Sequence, residues 1–475
     1  MCIRDSLGGG GLSCVVGELA LDAGFGAKVD LEKVHLKLKT MAPWEIWVSE
    51  SQERMMFTVK PEDVQTVLDR CNAWDVEAVA IGEVIKEKRN IVRFHNTEIL
   101  NLDLEFTTGG PVYNRPYTLP EINNLEAVEL PEPPLNLAKT IKEIISNPEV
   151  ASKDWVIRQY DHEVRGATAI KPIQGKIGKE VHGDSSVLKP VEDSWKGLAL
   201  TTDINPHLME ANPYHGTMSA VEEICRNLAS VGARIDSLAD CLCFGNPQRP
   251  EIMGQFKSSC DALRDAATSV DVPYVSGNVS LYNETAEGAI PPTPVLMGIG
   301  LVDDIRKCVT SDLKNEGDIW LVGDNKQQLG ASLYYRTLGI NCPNVPTTDF
   351  DSFIPRMEQL IDAIECGEVV ACHDISTGGM ALAIIEMCMS GVGAEINLSG
   401  DMRADLELFN ESNGRWIVQV KPGLEEEFSK RFDFAKNIGT VNKNVSFVLN
   451  EKESIVFSIK ELRKKWTEPL WNRMA

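Results

Sequence analysis

A chain of 475 residues, 43% hydrophobic and 25% charged, has the composition of a globular protein and the length of about three domains of roughly 100–200 residues. Its formal net charge of −23 argues against general nucleic-acid binding, which relies on Lys and Arg to release phosphate counterions. No apolar run approaches the ~20 residues of a membrane helix. The 12 cysteines are scattered without a Cys-x-x-Cys, so neither a zinc module nor a redox motif is expected. Free thiols in a reducing cytoplasm fit better, with Cys225 and Cys388 buried on helix faces.

Residues 7 to about 110 read as alternating strands and helices. Pro61-Glu62-Asp63 opens a helix whose Val64, Val67, Leu68 and Cys71 follow the i, i+3, i+4, i+7 pattern. Ala78 to Val84 reads as a strand, and Ile91–His95 with Ile99–Leu104 as a hairpin. Five prolines among carboxylates between Pro116 and Pro134 mark a linker, followed by a short helix over Leu135–Ser146. A new α/β unit begins near Val181. Its expected elements are a strand Leu198–Asp203, a helix with Met218, Val221, Cys225 and Leu228 on one face, a helix with Ile252, Phe256, Cys260 and Leu263, and a strand Val295–Val302. Asp318–Gly323 opens the last unit, where Ala381, Ile384, Ile385 and Cys388 mark a buried helix face. The expected domains are 7–115, 181–312 and 313–475, with 116–180 as linker.

The chain also repeats itself. Leu7-Gly8-Gly9-Gly10-Gly11-Leu12-Ser13, Glu50-Ser51-Gln52-Glu53-Arg54, Val59-Lys60-Pro61 and Ile81-Gly82-Glu83-Val84 have counterparts in Asp374-Ile375-Ser376-Thr377-Gly378-Gly379-Met380, Glu411-Ser412-Asn413-Gly414-Arg415, Val420-Lys421-Pro422 and Ile438-Gly439-Thr440-Val441. The offset drifts from 368 through 361 to 357, as diverged copies with small deletions would drift. Counted back from the last glycine, Asp374 of the second copy falls on Ser6 of the first.

Several segments could carry chemistry. Asp240-Cys241-Leu242-Cys243-Phe244-Gly245-Asn246-Pro247 puts a carboxylate and an amide on a tight turn after a helix, and Ser276-Gly277-Asn278-Val279-Ser280-Leu281-Tyr282-Asn283-Glu284 sets a glycine beside an amide oxygen, a hydroxyl and a second amide. Such oxygens suit Mg²⁺, and a glycine lets a backbone approach a ligand; the plainer alternative for both is a turn made of turn-forming residues. Ser49–Arg54 has the polar density of a ligand-gripping loop, or of a solvated turn. The Gly8–Gly11 run before an apolar helix offers bare amides to an anion, though helix packing explains it equally well. His373 beside Asp374 reads as loop support, and a phosphate contact at His207 or His215 stays open. There is no Ser-His-Asp order, Walker lysine loop or Rossmann fingerprint.

Together, Leu7–Ser13, Pro43–Met55, Arg158–Val164, Ala239–Pro250, Val275–Glu284 and His373–Gly379 resemble the phosphoribosylformylglycinamidine synthase family, in its large synthetase subunit without a fused glutaminase domain. The resemblance runs from Leu7 to the end. It implies an α/β (α+β) fold of duplicated aminoimidazole-ribonucleotide-synthetase-like units, the first incomplete. It also implies ATP- and Mg²⁺-dependent amidation of formylglycinamide ribonucleotide in purine biosynthesis in the cytoplasm, with ammonia from a glutaminase subunit through a small bridging subunit. Carried over by motif, Glu50, Ser51, Gln52 and Ser280 would contact substrate, Asp240 and Gly277 the nucleotide, and Asn278 the magnesium. Asp374–Gly379 would line an auxiliary site holding a nucleotide that is not turned over. The family's magnesium aspartate falls on Ser6, Met1–Ser6 resembles nothing in the family, and the catalytic histidines and ATP-gripping lysine would lie upstream of Met1. On that basis a truncated fragment is expected, with no catalytic residue of its own and no turnover alone. The alternatives are another synthetase or kinase of the same superfamily, or a non-catalytic nucleotide-binding scaffold.

Overall fold

The structure, a computed structural model, describes residues 4–110, 112–121, 130–398, 400, 402–432, 434–449 and 453–474. The chain divides into two compact units, Met1–Asn114 and Arg115–Ala475.

In the first unit the strands are β1 (Arg4–Ser6), β2 (Gly26–Asp30), β3 (Met55–Phe57), β4 (Gly82–Ile85), β5 (Arg89–Phe94) and β6 (Thr97–Asp103). They form a pair β1-β3 and a sheet ordered β4-β2-β5-β6. The helix Gly11–Asp22 turns Leu12, Val15, Val16 and Leu19 inward onto Val29, Val92, Ile46 and Trp47, each such side chain worth about 1.5–3 kcal/mol on burial. The expected hairpin is β5-β6, closed by His95 and Asn96, both at positive φ (48° and 63°), the twist that a two-residue hairpin favours. The expected helix runs Val64–Asn72 after a 3₁₀ turn at Pro61–Asp63. The strand expected from Ala78 is shorter: β4 begins at Gly82, because this is the sheet edge and Ala78–Ala80 stay exposed.

The second unit holds β7 (Thr168–Ile170), β8 (Ile173–Lys176), β9 (Lys179–His182), β10 (Ser186–Leu188), β11 (Gly197–Asp203), β12 (Arg234–Cys243), β13 (Tyr274–Ser280), β14 (Glu284–Thr285), β15 (Gly288–Ala289) and β16 (Thr293–Val302). Six of these make a sheet ordered β13-β12-β16-β11-β10-β7. The helices Pro213–Ser230 and Pro250–Val270 pack beside it, and Met218, Val221, Cys225 and Leu228 are buried as their spacing requires. Past Pro134 the stretch read as linker is built structure. The helix Leu137–Ile145 buries Ile141, Ile144 and Ile145, and β7 joins the six-stranded sheet. The helix is the one expected over Leu135–Ser146; the strands that follow it in that stretch were not expected.

The remaining strands, β17 (Asp318–Val322), β18 (Val369–Asp374), β19 (Gly393–Asn397), β20 (Trp416–Val420), β21 (Ala435–Asn442), β22 (Val445–Leu449) and β23 (Glu453–Phe457), form a sheet ordered β18-β20-β17-β21-β19-β22-β23. This order reproduces that of the first unit. β1-β3 corresponds to β18-β20 and β4-β2-β5-β6 to β21-β19-β22-β23, with matching strand directions throughout. The register agrees too: Ser6 pairs Met55 where Asp374 pairs Trp416. The strand β17, which joins the two halves of the larger sheet, has no counterpart among the described residues of the first unit.

Candidate substrate, nucleotide and metal sites

In the first unit, Pro43 starts a short helix whose Glu45 carboxylate accepts from the Ala42 N–H (2.7 Å), and the chain then leaves through Ser49–Arg54. Arg54 fixes this loop from within, its Nη2 donating to Ser49 O (2.6 Å) and its Nε to Ser51 O (2.9 Å). Glu50 folds back so that Oε1 accepts from the Gly10 N–H at 2.7 Å. Gln52 donates to Glu50 O (2.8 Å), and the Ser51 hydroxyl lies 3.0 Å from that of Ser49. Glu50, Ser51 and Gln52 are all exposed. Of the two readings of the glycine run, the bare-amide one fails at Gly10, whose N–H is taken by a carboxylate of the chain, and the packing one holds at Gly11, whose Cβ direction is blocked by Ser49 O.

The second copy repeats these ties. Glu411 Oε1 accepts from Gly378 N–H (2.8 Å), Arg415 Nη2 donates to Asn410 O (2.6 Å) and Arg415 Nε to Ser412 O (2.8 Å). Here the loop is packed inside, with Ser412 and Arg415 fully buried, and burial pushes the Glu411 carboxyl up to about 7.

The set Asp240, Gly277, Asn278 and Ser280 lies on the parallel neighbours β12 and β13, not on a turn after a helix. The Asn246-Pro247 signal belongs to the loop beyond the strand. Register places Asp240 opposite Gly277, Cys241 opposite Asn278 and Cys243 opposite Ser280. Backbones therefore meet as expected, but the four side chains do not converge, because successive residues of a strand face opposite sides. The Asp240 carboxylate lies over Gly277, where a Cβ would stand 2.9 Å from Oδ2. Burial raises its pKa, against the lowering effect of the Asn278 backbone N–H. Asn278 points to the other face and donates to Cys241 Sγ at 3.6 Å. Ser280 shares that face, its hydroxyl 3.5 Å from Asn283 Oδ1. No carboxylate stands on Asn278's face of these two strands, so Asp240 and Asn278 as placed cannot hold one Mg²⁺ together.

A buried cluster in the second unit gathers Arg226 and its glutamates, which sequence reading missed, with Asp374 and with His373, which was read as loop support but lies on the buried strand β18. Arg226 donates through Nη1 to Glu222 (2.6 Å) and Nε to Asp374 (3.1 Å), and its Nη2 lies 3.2 Å from Glu223. Its side chain is 1% exposed. Burial alone would lower the pKa of this guanidinium, but the carboxylates outweigh that and raise it, while burial holds Glu222 and Asp203 up to about 7. Beside it His373 bridges Asp184 (Nδ1, 2.6 Å) and Glu386 (Nε2, 3.2 Å). Burial would depress the imidazolium, yet these carboxylates keep it well above the usual histidine range. The spacing Glu222-Glu223-x-x-Arg226 on a helix with an apolar face was the available signal. Its partner Asp374 lies 148 residues away.

With this geometry in view, the comparisons with known proteins agree in both halves. The family model described as AIR synthase related protein, C-terminal domain, matches residues 4–95 and again 332–450, and that described as the N-terminal domain matches 182–302. The chain belongs to the AIR synthase related family. Among its relatives is the phosphoribosylformylglycinamidine synthase subunit PurL of Thermoplasma acidophilum, 37% identical over 426 residues, which are 89% of this chain and 56% of that protein. The subunit of the same name from Thermococcus sibiricus is 38% identical over 459 residues, 95% of this chain and 62% of that one. The chain thus spans about three fifths of the length of these relatives. Two solved structures share the fold: T. maritima PurL complexed with AMPPCP (TM-score 0.65, 23% identity, covering 92% of this chain and 64% of that one) and T. maritima PurL complexed with FGAR (TM-score 0.61, 22% identity, 92% and 61%). The family match begins at residue 4 and β1 keeps the register of β18, so Arg4–Ser6 is family structure, contrary to the expectation that nothing before Leu7 resembles the family. No helix among the described residues is long and apolar enough to cross a membrane.

Proposed function

We propose that this chain is part of the large synthetase subunit that carries out ATP-dependent amidation of formylglycinamide ribonucleotide in purine biosynthesis. The observation that carries the reading is the 37–38% identity to PurL subunits across 89–95% of the chain. The chemistry sets what such a site must do. An amide oxygen leaves only after phosphorylation by ATP, ammonia then attacks the activated carbon, and phosphate departs as the amidine forms. The activated intermediate must be held by preorganised donors and kept from water.

In this reading the outward Ser51 and Gln52 contact the ribonucleotide, on a loop whose shape Arg54 and Glu50 hold from behind. In the second unit the family motif assigns a substrate contact to the Ser280 hydroxyl and nucleotide contacts to Asp240 and to Gly277, which pair across β12 and β13. Asn278, the family's magnesium position, offers one amide oxygen on the opposite face of these strands, so a Mg²⁺ held by a nucleotide at Asp240 would not reach it as placed. Ammonia comes from a glutaminase subunit through a small bridging subunit, in the cytoplasm.

Calorimetric titration of the chain with formylglycinamide ribonucleotide tests the loop. Loss of one hydrogen bond to a charged group is worth about 1.5–3 kcal/mol, so Ser51→Ala and Gln52→Ala are each expected to weaken binding at least tenfold. Unchanged affinity in both variants would remove Ser49–Arg54 from the substrate site.

A further inference from the structure

A magnesium nucleotide brings a cation that draws carboxylates together and phosphates that seek backbone N–H groups. In the second unit the chain supplies both itself. The cation position among Glu222, Glu223 and Asp374 is filled by the Arg226 guanidinium, at 2.6, 3.2 and 3.1 Å. The N–H of Gly378, at the helix start next to Ser376 and Thr377, is taken by Glu411 at 2.8 Å. We infer that this acidic centre is an ion-paired structural lock with Arg226 as its resident cation, closed to nucleotide and to divalent metal. The auxiliary nucleotide site that the resemblance places at Asp374–Gly379 is accordingly absent from this chain.

Three further observations point the same way. The cavity bounded by Asp203, Ser219, Glu223, Arg226, Thr377 and Asn413 measures about 20 Å³. That is room for one water, against the ≈ 300–1,000 Å³ of ligand pockets. The nearest set of metal-type ligands is Asp184, His373 and Asp374, whose candidate atoms lie within 4.8 Å of one another. However, both nitrogens of His373 already face carboxylates, and a doubly protonated ring has no lone pair for a metal. Finally, Arg226 cannot swing clear cheaply. Its helix is buried along nearly its whole length, and its own carbonyl accepts from Trp416 Nε1 at 3.1 Å.

This inference is independent of the substrate loop, and its test separates the two. Hydrogen-exchange mass spectrometry of the full chain with and without millimolar MgATP should leave peptides covering 219–230 and 372–384 unchanged, whatever happens at 238–243 and 274–284. The wild-type melting temperature should be the same in MnCl₂ and in EDTA. Arg226→Ala removes the resident cation, so it should melt lower in EDTA and recover by about 5 °C in MnCl₂ as the freed carboxylates bind the metal. Should that variant not fold, Arg226→Lys, with one ammonium for three carboxylates, should show a smaller recovery of the same sign. Slowed exchange at 372–384 with MgATP in the wild type, a Mn²⁺-dependent wild-type melt, or no Mn²⁺ recovery in the folded variant would each overturn the inference.

Discussion

Gly379→Ala should destabilise the second unit by about 3 kcal/mol, from the summed cost of a left-handed backbone and of a forced contact. Gly379 holds φ at +68°, and a Cβ there would stand 2.7 Å from the carbonyl oxygens of both Leu408 and Asn410. These are backbone atoms at the end of the buried helix Ala404–Phe409, so neither can yield without moving the Glu411–Arg415 loop. Gly423 isolates the conformational part: its φ is +87° with nothing within 4 Å of an added Cβ, and Gly423→Ala should cost only about 1 kcal/mol. Urea denaturation followed by tryptophan fluorescence measures both. Equal losses at the two positions would mean that the packing around Gly379 is not as described. Gly11, the same position in the first copy, sits at φ +60° with its Cβ direction blocked by Ser49 O and should be equally intolerant.

The second large effect is on pH dependence. Burial carries Asp203 from 3.8 and Glu222 from 4.5 up to about 7. Between about pH 4 and pH 7 the folded protein therefore keeps protons that the unfolded chain has released, and stability falls as pH rises through that window. His373 adds to the same trend. Its pKa is raised above 6.5 in the fold, so its contribution is whole below pH 6.5 and is lost as pH climbs through the folded value. The groups around these residues are Asp184, Glu223, Arg226, Asp374, Glu386 and Arg415. Surface carboxylates such as Asp304, drawn down to about 2 by Arg306, oppose the trend only below about pH 4. Melting temperature should fall steadily from pH 5 to pH 8. Asp203→Asn, at a residue whose Oδ2 has no hydrogen-bond partner, should flatten the curve. A melting temperature that rises over this range, or an unaltered slope in the variant, would contradict the buried cluster.

What the sequence disclosed was what depends on near neighbours. Helix faces such as Met218-Val221-Cys225-Leu228 are written in a 3.6-residue period, and they are buried as expected. The duplication was legible because each landmark is contiguous, and its alignment of Ser6 with Asp374 is repeated by strand register. What stayed hidden depends on pairing at a distance. Asp240 and Asn278 face opposite ways because β12 and β13 align Asp240 with Gly277, a register fixed by segments almost 40 residues apart. The Arg226 centre needed Asp374 from a different sheet. Nothing local distinguishes a glutamate pair bound for water from one bound for a buried arginine.

Among the described residues of the first unit no strand pairs between β1-β3 and β4-β2-β5-β6, and this arrangement has a kinetic consequence. In the second unit, β18-β20 and β21-β19-β22-β23 are hydrogen-bonded into one ladder through β17. In the first, among the described residues, β1 and β3 pair with each other and with no other strand, and they meet the four-stranded piece through side-chain packing in the shared core, Met56 of β3 among it. Cooperative units of a protein open at free energies set by what crosses between them. Amide protons in β1 and β3 should thus exchange through local opening, on their own time course and well ahead of those in β2 and β5. Their equivalents in β18 and β20 should wait for the whole sheet to open.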